Sequence, residues 1–217
     1  TLSDKKNVKI GIKHGIDWIA LSFIQSPNDI KDLRNICKKN VAIMAKIEKP
    51  NALQYIDEIT KLADGLMIAR GDLGVELPIQ DVPGWQKKII REARIQGKPV
   101  VVSTQMLESM ITSKTPTRAE VSDVATAVFE GSDAVMLSAE SAIGKNPEAA
   151  VQMMSKIAHS VEKNPNYNSI LSAQLEKTPD STPDAISTAA RSLATELNSP
   201  LIVCYTESGS TGIKVSR

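Results

Sequence analysis

Short apolar segments alternate along this chain with longer segments of helical periodicity, and this alternation repeats five times. The short segments are almost entirely apolar, which is typical of parallel strands that are buried on both faces. Five such units predict a parallel sheet covered by helices, in either a doubly wound sheet or a TIM barrel. The segments predicted as strands are 16–24, 41–47, 65–69, 100–103 and 134–137.

Helix start and stop signals separate these strands. Thr117 and Glu120 have the spacing of a capping box, and Gly97 and Gly131 are placed to end helices. The predicted helices begin at Pro27, near Asn51, at Val82, near Thr117 and at Pro147.

Polar residues cluster where four of the predicted strands end. In a TIM barrel the active site is assembled from several C-terminal strand ends, so this distribution favours the barrel. A barrel has eight strands, and the sequence supplies five. We therefore expect residues 1–162 to form the second part of a barrel whose first part lies elsewhere. The strand-end groups are Lys46 and Glu48, Arg70 to Asp72, Thr104 and Gln105, and Ser138 and Glu140.

The rest of the chain is predicted to leave the barrel. Residues 163–181 are polar and contain Asn and Pro, which is typical of a linker. Residues 182–217 predict the start of a second α/β domain, with a helix from Thr182, a strand over 201–205 and a loop of small residues over 206–212.

Composition limits the class of protein. Apolar residues make up 41% and charged residues 24% of the chain, a balance typical of soluble globular proteins. The formal net charge of +1 gives no reason to expect nucleic acid or an anionic membrane as partner. Cys37 and Cys204 fit a reducing compartment, so we expect a cytoplasmic protein.

Lys46 and Glu48 are two residues apart in a predicted strand, so their side chains point to the same face. They could form a structural ion pair and nothing more. Asp72, at the next strand end, brings a second carboxylate to the same edge, and two carboxylates suit a hard cation such as Mg²⁺. A lysine beside that cation could stabilise charge on a transferring phosphoryl group.

Two further features of the strand ends have both an ordinary and a functional interpretation. The two glycines of Gly71-Asp72-Leu73-Gly74 let the backbone present N–H groups to an anion, although an ordinary βα turn has the same composition. Thr104 could hydrogen-bond a substrate or relay a proton, but a single Thr at a strand end is usually structural.

Six strings of residues add a more specific signal. In this order and spacing they resemble the pyruvate kinase family over nearly the whole chain. The strings are 45–48 (AKIE), 68–76 (IARGDLGVE), 97–99 (GKP), 104–110 (TQMLESM), 116–120 (PTRAE) and 122–125 (SDVA).

The resemblance implies a role for each strand-end residue. Lys46 would stabilise the transition state between phosphoenolpyruvate and ADP, and Glu48 and Asp72 would hold Mg²⁺ or Mn²⁺. Backbone N–H groups near Gly71 and Asp72 would bind the substrate carboxylate. Thr104 would contact the substrate near the methylene carbon that is protonated when pyruvate forms.

The resemblance also implies features beyond these residues. Arg118 would approach a neighbouring subunit in a homotetramer. Most nucleotide contacts and the K⁺ ligands would precede Thr1, so these 217 residues are expected to be inactive alone. The loop over 206–212 resembles a sugar-phosphate effector loop, with Thr206, Ser208, Gly209, Ser210 and Thr211 as candidate contacts, although a plain surface loop is equally compatible.

Two other functions remain open at this point. Metal-dependent aldolases or lyases that act on pyruvate enolates also carry a Glu and an Asp at strand ends, but the Lys46 position and the TQM and PTRAE strings speak against them. A non-catalytic fragment is the third alternative, and the presence of Lys46, Glu48, Asp72 and Thr104 argues against it.

Overall fold

The computed structural model describes residues 1–37, 41–173, 182–207 and 209–216. The chain divides into two compact units, Thr1–Gln174 and Leu175–Arg217. The first unit contains a parallel sheet and the helices that cover it.

The sheet has five strands in the described residues: β1 Trp18–Leu21, β2 Ala42–Ile47, β3 Gly65–Ala69, β4 Val100–Ser103 and β5 Ala134–Met136. The helices of the first unit are α1 Leu2–Lys13, α2 Pro27–Cys37, α3 Pro50–Leu53, α4 Ile56–Leu62, α5 Arg70–Glu76, α6 Val82–Ile95, α7 Arg118–Phe129, α8 Ala139–Ala142, α9 Pro147–Glu162 and α10 Tyr167–Ala173. Two 3₁₀ turns, Ile79–Asp81 and Glu108–Ile111, lie between them. The second unit contains α11 Thr182–Glu196 and α12 Ser210–Val215.

All neighbouring strands are parallel, and their spatial order is β1-β2-β3-β4-β5. A doubly wound sheet reverses its strand order at a switch point, whereas a barrel places consecutive strands side by side. The observed order is therefore that of an arc of a (β/α)₈ barrel, as the strand-end residues predicted.

The two faces of the sheet differ in burial. On one face the side chains are fully enclosed by the helices, and on the other face they are half-buried. In a closed barrel the second face would line the interior. The enclosed face carries Ile43, Ala45, Ile47, Leu66, Ile68, Val100 and Val102, and the half-buried face carries Met44, Lys46, Met67 and Val101.

The first strand is shorter and more exposed than predicted. Strand β1 ends at Leu21 rather than at Ile24, and the side chain of Trp18 is 43% exposed. The exposure follows from its position, because among the described strands β1 pairs with β2 alone and forms one edge of the sheet. Residues 22–24 instead belong to a loop at the C-terminal end of the sheet.

Helix boundaries follow the local signals in most places. The Thr117–Glu120 capping box forms, and Gly97 and Gly131 adopt the left-handed backbone with φ of 67° and 86°. The prediction that Asn51 caps one helix was wrong. Pro50 takes the first helical position after Lys49, and the segment is split at Tyr55 into α3 and α4.

Two predictions for the C-terminal half need correction. The segment 163–181, predicted as a linker, contains α10, whose Tyr167 ring packs against Phe129 with centroids 6.1 Å apart. Residues 201–205 are not a strand, and Tyr205 is 96% exposed. A strand needs a hydrogen-bonding neighbour, and the described part of the second unit contains helices but no paired strand.

The enclosed face of the sheet should dominate the stability of the first unit. Leu66 is completely buried in the central strand, so Leu66→Ala should lower the free energy of unfolding by about 2–5 kcal/mol. Ile79→Ala is the matched control, because Ile79 is 77% exposed and its truncation should change stability by no more than about 0.5 kcal/mol. Urea unfolding measures the loss of stability in both variants. Equal losses in Leu66→Ala and Ile79→Ala would contradict the assigned core.

Candidate active site at the strand ends

A buried carboxylate lies at the C-terminal end of β2. The side chain of Glu48 is 1% exposed, and the Nζ atom of Lys46 lies 2.7 Å from its Oε1 atom. Lys46 lies in β2 on the half-buried face, as the alternation of side chains predicted. The ion pair that was one interpretation of these residues therefore exists.

The loop after β1 supplies two more contacts to this pair. The Phe23 N–H donates to Glu48 Oε2 at 2.6 Å, and Lys46 Nζ donates to Ser22 Oγ at 2.9 Å. Phe23 reaches this position with φ of 56°, in the left-handed region. Ser22 and Phe23 were missed at the sequence level because the first strand was predicted to continue through them.

The Oε1 atom of Glu48 could accept further contacts. It is buried and accepts no hydrogen bond within the described part of the chain, so its contact with Lys46 is an ion pair without hydrogen-bond geometry. The ammonium of Lys46 compensates the charge of this buried oxygen, and the oxygen keeps lone pairs that a metal ion could also bind.

The second predicted metal ligand lies at the next strand end. Asp72 is exposed in the first turn of α5, which follows β3 directly, and its carboxylate has no hydrogen bond or ion pair in the described part of the molecule. No group of three or more His, Cys, Asp or Glu side chains with metal-binding geometry occurs among those residues either. Two carboxylates fit Mg²⁺ or Mn²⁺, since such ions commonly keep several water or substrate oxygens.

The Gly71 N–H that was predicted to bind an anion already donates a hydrogen bond within the protein. The Gly71 N–H donates to Thr104 Oγ1 at 2.7 Å, and that hydroxyl donates to the Ser103 carbonyl at 2.6 Å. Gly71 and Thr104 were predicted separately, and the structure brings them into contact. A carboxylate that binds the Gly71 N–H has to replace the threonine oxygen.

The corner after β4 has an unusual backbone. Thr104 and Gln105 have φ of 70° and 56°, so two consecutive residues with side chains are left-handed. Such residues cost on the order of 1–3 kcal/mol each and persist where surrounding contacts impose them. This corner is therefore held by its neighbours.

Glu140 is one of these neighbours. Its side chain is 2% exposed, and it accepts hydrogen bonds from the Leu107 N–H at 3.1 Å and the Ser138 N–H at 2.8 Å. It thus ties the loop after β4 to the end of β5. Glu140 therefore anchors the backbone of both segments.

The residues predicted for other contacts belong to other elements. Arg118 begins α7 and is exposed. In the second unit, Gly209 has φ of 80° and donates its N–H to Thr206 Oγ1 at 3.1 Å, and Ser210 and Thr211 open α12. Ser208 lies outside the described residues.

A cavity of about 350 Å³ lies between α6 and α7 and is lined by Arg70, Gln86, Asp123 and Glu130, among others. Gln86 donates to Glu130 Oε2 at 2.8 Å. Burial raises the pKa of the Glu130 carboxyl above its ordinary value, although the hydrogen bond from Gln86 opposes this.

Glu130 should make the stability depend on pH. With a raised pKa, the folded state holds a proton that the unfolded chain has released, so stability falls as pH rises from the ordinary carboxyl value through the raised pKa. Glu130→Gln should therefore be more stable than the wild type at about pH 8. The gain should vanish near pH 4, below both pKa values.

Urea unfolding across this pH range measures the effect. Glu148→Gln is the matched control, because Glu148 is exposed and also accepts a hydrogen bond from a glutamine, Gln152. A pH-independent difference between Glu130→Gln and the wild type would contradict the assignment.

Fold and site together define a class of protein. An arc of parallel βα units with a lysine and two carboxylates at its C-terminal edge is typical of barrel enzymes that handle anionic substrates with a divalent metal. Comparison with known proteins narrows this class. The family model described as "Pyruvate kinase, barrel domain" matches residues 1–151.

Individual relatives point to the same family as the family model. The chain is 52% identical to a pyruvate kinase of Methylorubrum extorquens and 51% identical to one of Agrobacterium vitis, and both alignments include the whole chain. A crystal structure of a pyruvate kinase from Cryptosporidium parvum superposes with a TM-score of 0.90 at 39% identity, covering 99% of this chain and 46% of that one. The chain belongs to the pyruvate kinase family and spans about half the length of these relatives, 45% and 46% of the two curated ones.

No helix in the described part of the chain is both long and apolar enough to cross a lipid bilayer.

Proposed function

We propose that this chain is part of a pyruvate kinase that transfers the phosphoryl group of phosphoenolpyruvate to ADP. The observation that carries the proposal is the site at the ends of β2, β3 and β4. Its residues agree with the motifs of the family, and they are Lys46, Glu48, Asp72 and Thr104. The aldolase or lyase alternative is not favoured, because the matching family model and the relatives named above are those of pyruvate kinases.

Lys46 is the residue we assign to charge stabilisation. Its side chain is 24% exposed on the half-buried face, and Ser22 and Glu48 fix the position of its ammonium group. A fixed cation stabilises negative charge that develops on a phosphoryl group or an enolate oxygen more than it stabilises the ground state. Lys46 thus acts on both halves of the reaction.

Glu48 and Asp72 are the residues we assign to a divalent metal. Glu48 Oε1 accepts no hydrogen bond in the described part of the chain, and the Asp72 carboxylate is exposed at the start of α5; both observations support this assignment. When bound there, Mg²⁺ or Mn²⁺ would act as a Lewis acid toward substrate oxygens. The K⁺ that the family implies has no assigned ligand among the described residues.

Gly71 and Thr104 are the residues we assign to the substrate carboxylate and the reacting carbon. The hydrogen bond from the Gly71 N–H to Thr104 Oγ1 occupies the position where a carboxylate oxygen would accept. Exchange of one acceptor for the other would release the hydroxyl of Thr104 toward the substrate. The hydroxyl could then take part in proton delivery to the methylene carbon.

Other parts of the proposal concern the whole protein. The edge strands β1 and β5 expose side chains of Trp18 and Ala134, as expected of a barrel arc that remaining strands would close. We also propose a cytoplasmic homotetramer in which the exposed Arg118 contacts a neighbouring subunit. The left-handed Gly209 ahead of α12 supports a sugar-phosphate contact in the second unit.

Three substitutions test the assigned roles in the protein made from the complete coding sequence that contains these residues. Glu48→Gln and Asp72→Asn should each lower phosphoenolpyruvate-dependent ATP formation by at least about 100-fold. Each should also weaken Mn²⁺ binding at least about tenfold, because an oxygen ligand loses its charge. Lys46→Met should lower turnover as strongly without weakening Mn²⁺ binding, since it leaves both carboxylates in place.

Electron paramagnetic resonance of free Mn²⁺ measures binding without turnover. Asp57→Asn is the control, because Asp57 is an exposed carboxylate of α4 paired with Lys61 and should retain both properties. Undiminished Mn²⁺ affinity in Glu48→Gln and Asp72→Asn would overturn the metal assignment.

A further inference from the structure

Arg70 connects the end of β3 to two other elements through a nearly buried guanidinium group. Its side chain is 10% exposed, and Nη1 donates to Asp123 Oδ1 of α7 at 2.6 Å. Nη2 donates to the Thr104 carbonyl at 2.8 Å and lies 2.8 Å from the Met106 sulfur. One side chain therefore fixes the backbone that follows β4.

We propose that Arg70 is a positioning residue that holds the hydroxyl of Thr104 in its working orientation. This inference rests on the proposed function, because it assigns Arg70 a part in the reaction through Thr104. Arg70 itself reaches no reacting atom in the proposal.

The backbone of the corner explains why such a residue is needed. Thr104 is β-branched and Gln105 carries a long side chain, yet both are left-handed. Left to itself, a β-branched residue avoids this conformation. The Thr104 carbonyl is oriented by Arg70 from one side, and Glu140 holds the Leu107 N–H from the other.

The same corner sets the position of the reactive groups. Gly71, the residue after Arg70, donates its N–H to Thr104 Oγ1, so the carbonyl and the hydroxyl of Thr104 are both bound by consecutive residues of one chain segment. A shift of the Arg70 contact would rotate the threonine relative to the Gly71 N–H. Misplacement by about 1 Å can cost on the order of 100-fold in rate.

The chemistry of the contacts requires arginine. The two Nη atoms serve the Asp123 carboxylate and the Thr104 carbonyl at the same time in a planar fork. The ammonium of a lysine is a point charge and cannot reproduce this geometry. The Nε–H of Arg70 is buried and has no acceptor in the described part of the chain.

The chain offers a matched control. Arg34 also joins a carboxylate to backbone carbonyls, since it pairs with Asp64 and donates to the carbonyls of Val41 and Leu62. These partners lie just before β2 and β3, at the end of the sheet opposite the site. Arg34→Lys removes an equivalent set of contacts without approaching Thr104.

The test is a double-mutant cycle in the complete protein, assayed by phosphoenolpyruvate-dependent ATP formation. Arg70→Lys should lower kcat between about 10- and 100-fold, and Thr104→Val should also lower it. In the Thr104→Val background, Arg70→Lys should cost no more than about twofold, because the hydroxyl that it positions is absent. Arg34→Lys should leave kcat within about twofold while lowering the unfolding midpoint.

Independent, multiplicative losses from Arg70→Lys and Thr104→Val would overturn the inference, as would an unchanged kcat in Arg70→Lys. If Arg70→Lys does not fold, Asp123→Asn replaces it in the cycle. Asp123→Asn weakens the anchor of Arg70 and should show the same dependence on Thr104, and multiplicative losses would again refute the inference. Absence of ATP formation in the wild type would refute the proposed function instead.

Discussion

The buried carboxylate of Glu48 is the constraint on which the arrangement of the strand ends depends. A carboxylate that is 1% exposed must be compensated by donors and cations, and this one draws in the Phe23 N–H and the ammonium of Lys46. These contacts fix the loop after β1, the position of Lys46 and the orientation of the acid itself. Within the described part of the chain, Oε1 accepts no hydrogen bond and contacts the ammonium of Lys46 as an ion pair.

The parallel sheet determines which residues can meet this carboxylate. Because consecutive strands are neighbours, the ends of β2, β3 and β4 bring residues from positions 46 to 104 to one edge. The hydrogen bond from the Gly71 N–H to Thr104 Oγ1 joins two of these ends, and Arg70 and Glu140 hold the corner from either side. The site is thus supported by backbone contacts that run from β1 to β5.

Much of this could be predicted from residue patterns alone. The bounds of β3 and β4 match the prediction, since both are short apolar runs with clear breaks at either end. The shared face of Lys46 and Glu48 follows from side-chain alternation, and the capping box at Thr117 from a local hydrogen-bonding pattern. Family membership came from the order of the motifs, which local physical chemistry alone could not supply.

Other features depended on contacts distant in sequence. The roles of Ser22 and Phe23 were hidden because an apolar run does not show where its hydrogen bonding ends. Nothing local to Thr104 and Gln105 marks them as left-handed. The contacts that hold this corner come from Arg70, 34 residues from Thr104, and from Glu140, 33 residues from Leu107. The segment 201–205 is apolar enough for a strand but has no partner strand in the described part of its unit.

The central claim is that this edge of the sheet performs phosphoryl transfer rather than another chemistry of pyruvate enolates. The most direct measurement is the turnover of the complete protein with Mg²⁺, assayed in parallel for ATP formation from phosphoenolpyruvate and ADP and for aldol cleavage that releases pyruvate. We predict ATP formation at a typical enzymatic rate, about 1 to 1,000 per second, and no measurable cleavage. Cleavage activity without ATP formation would contradict it.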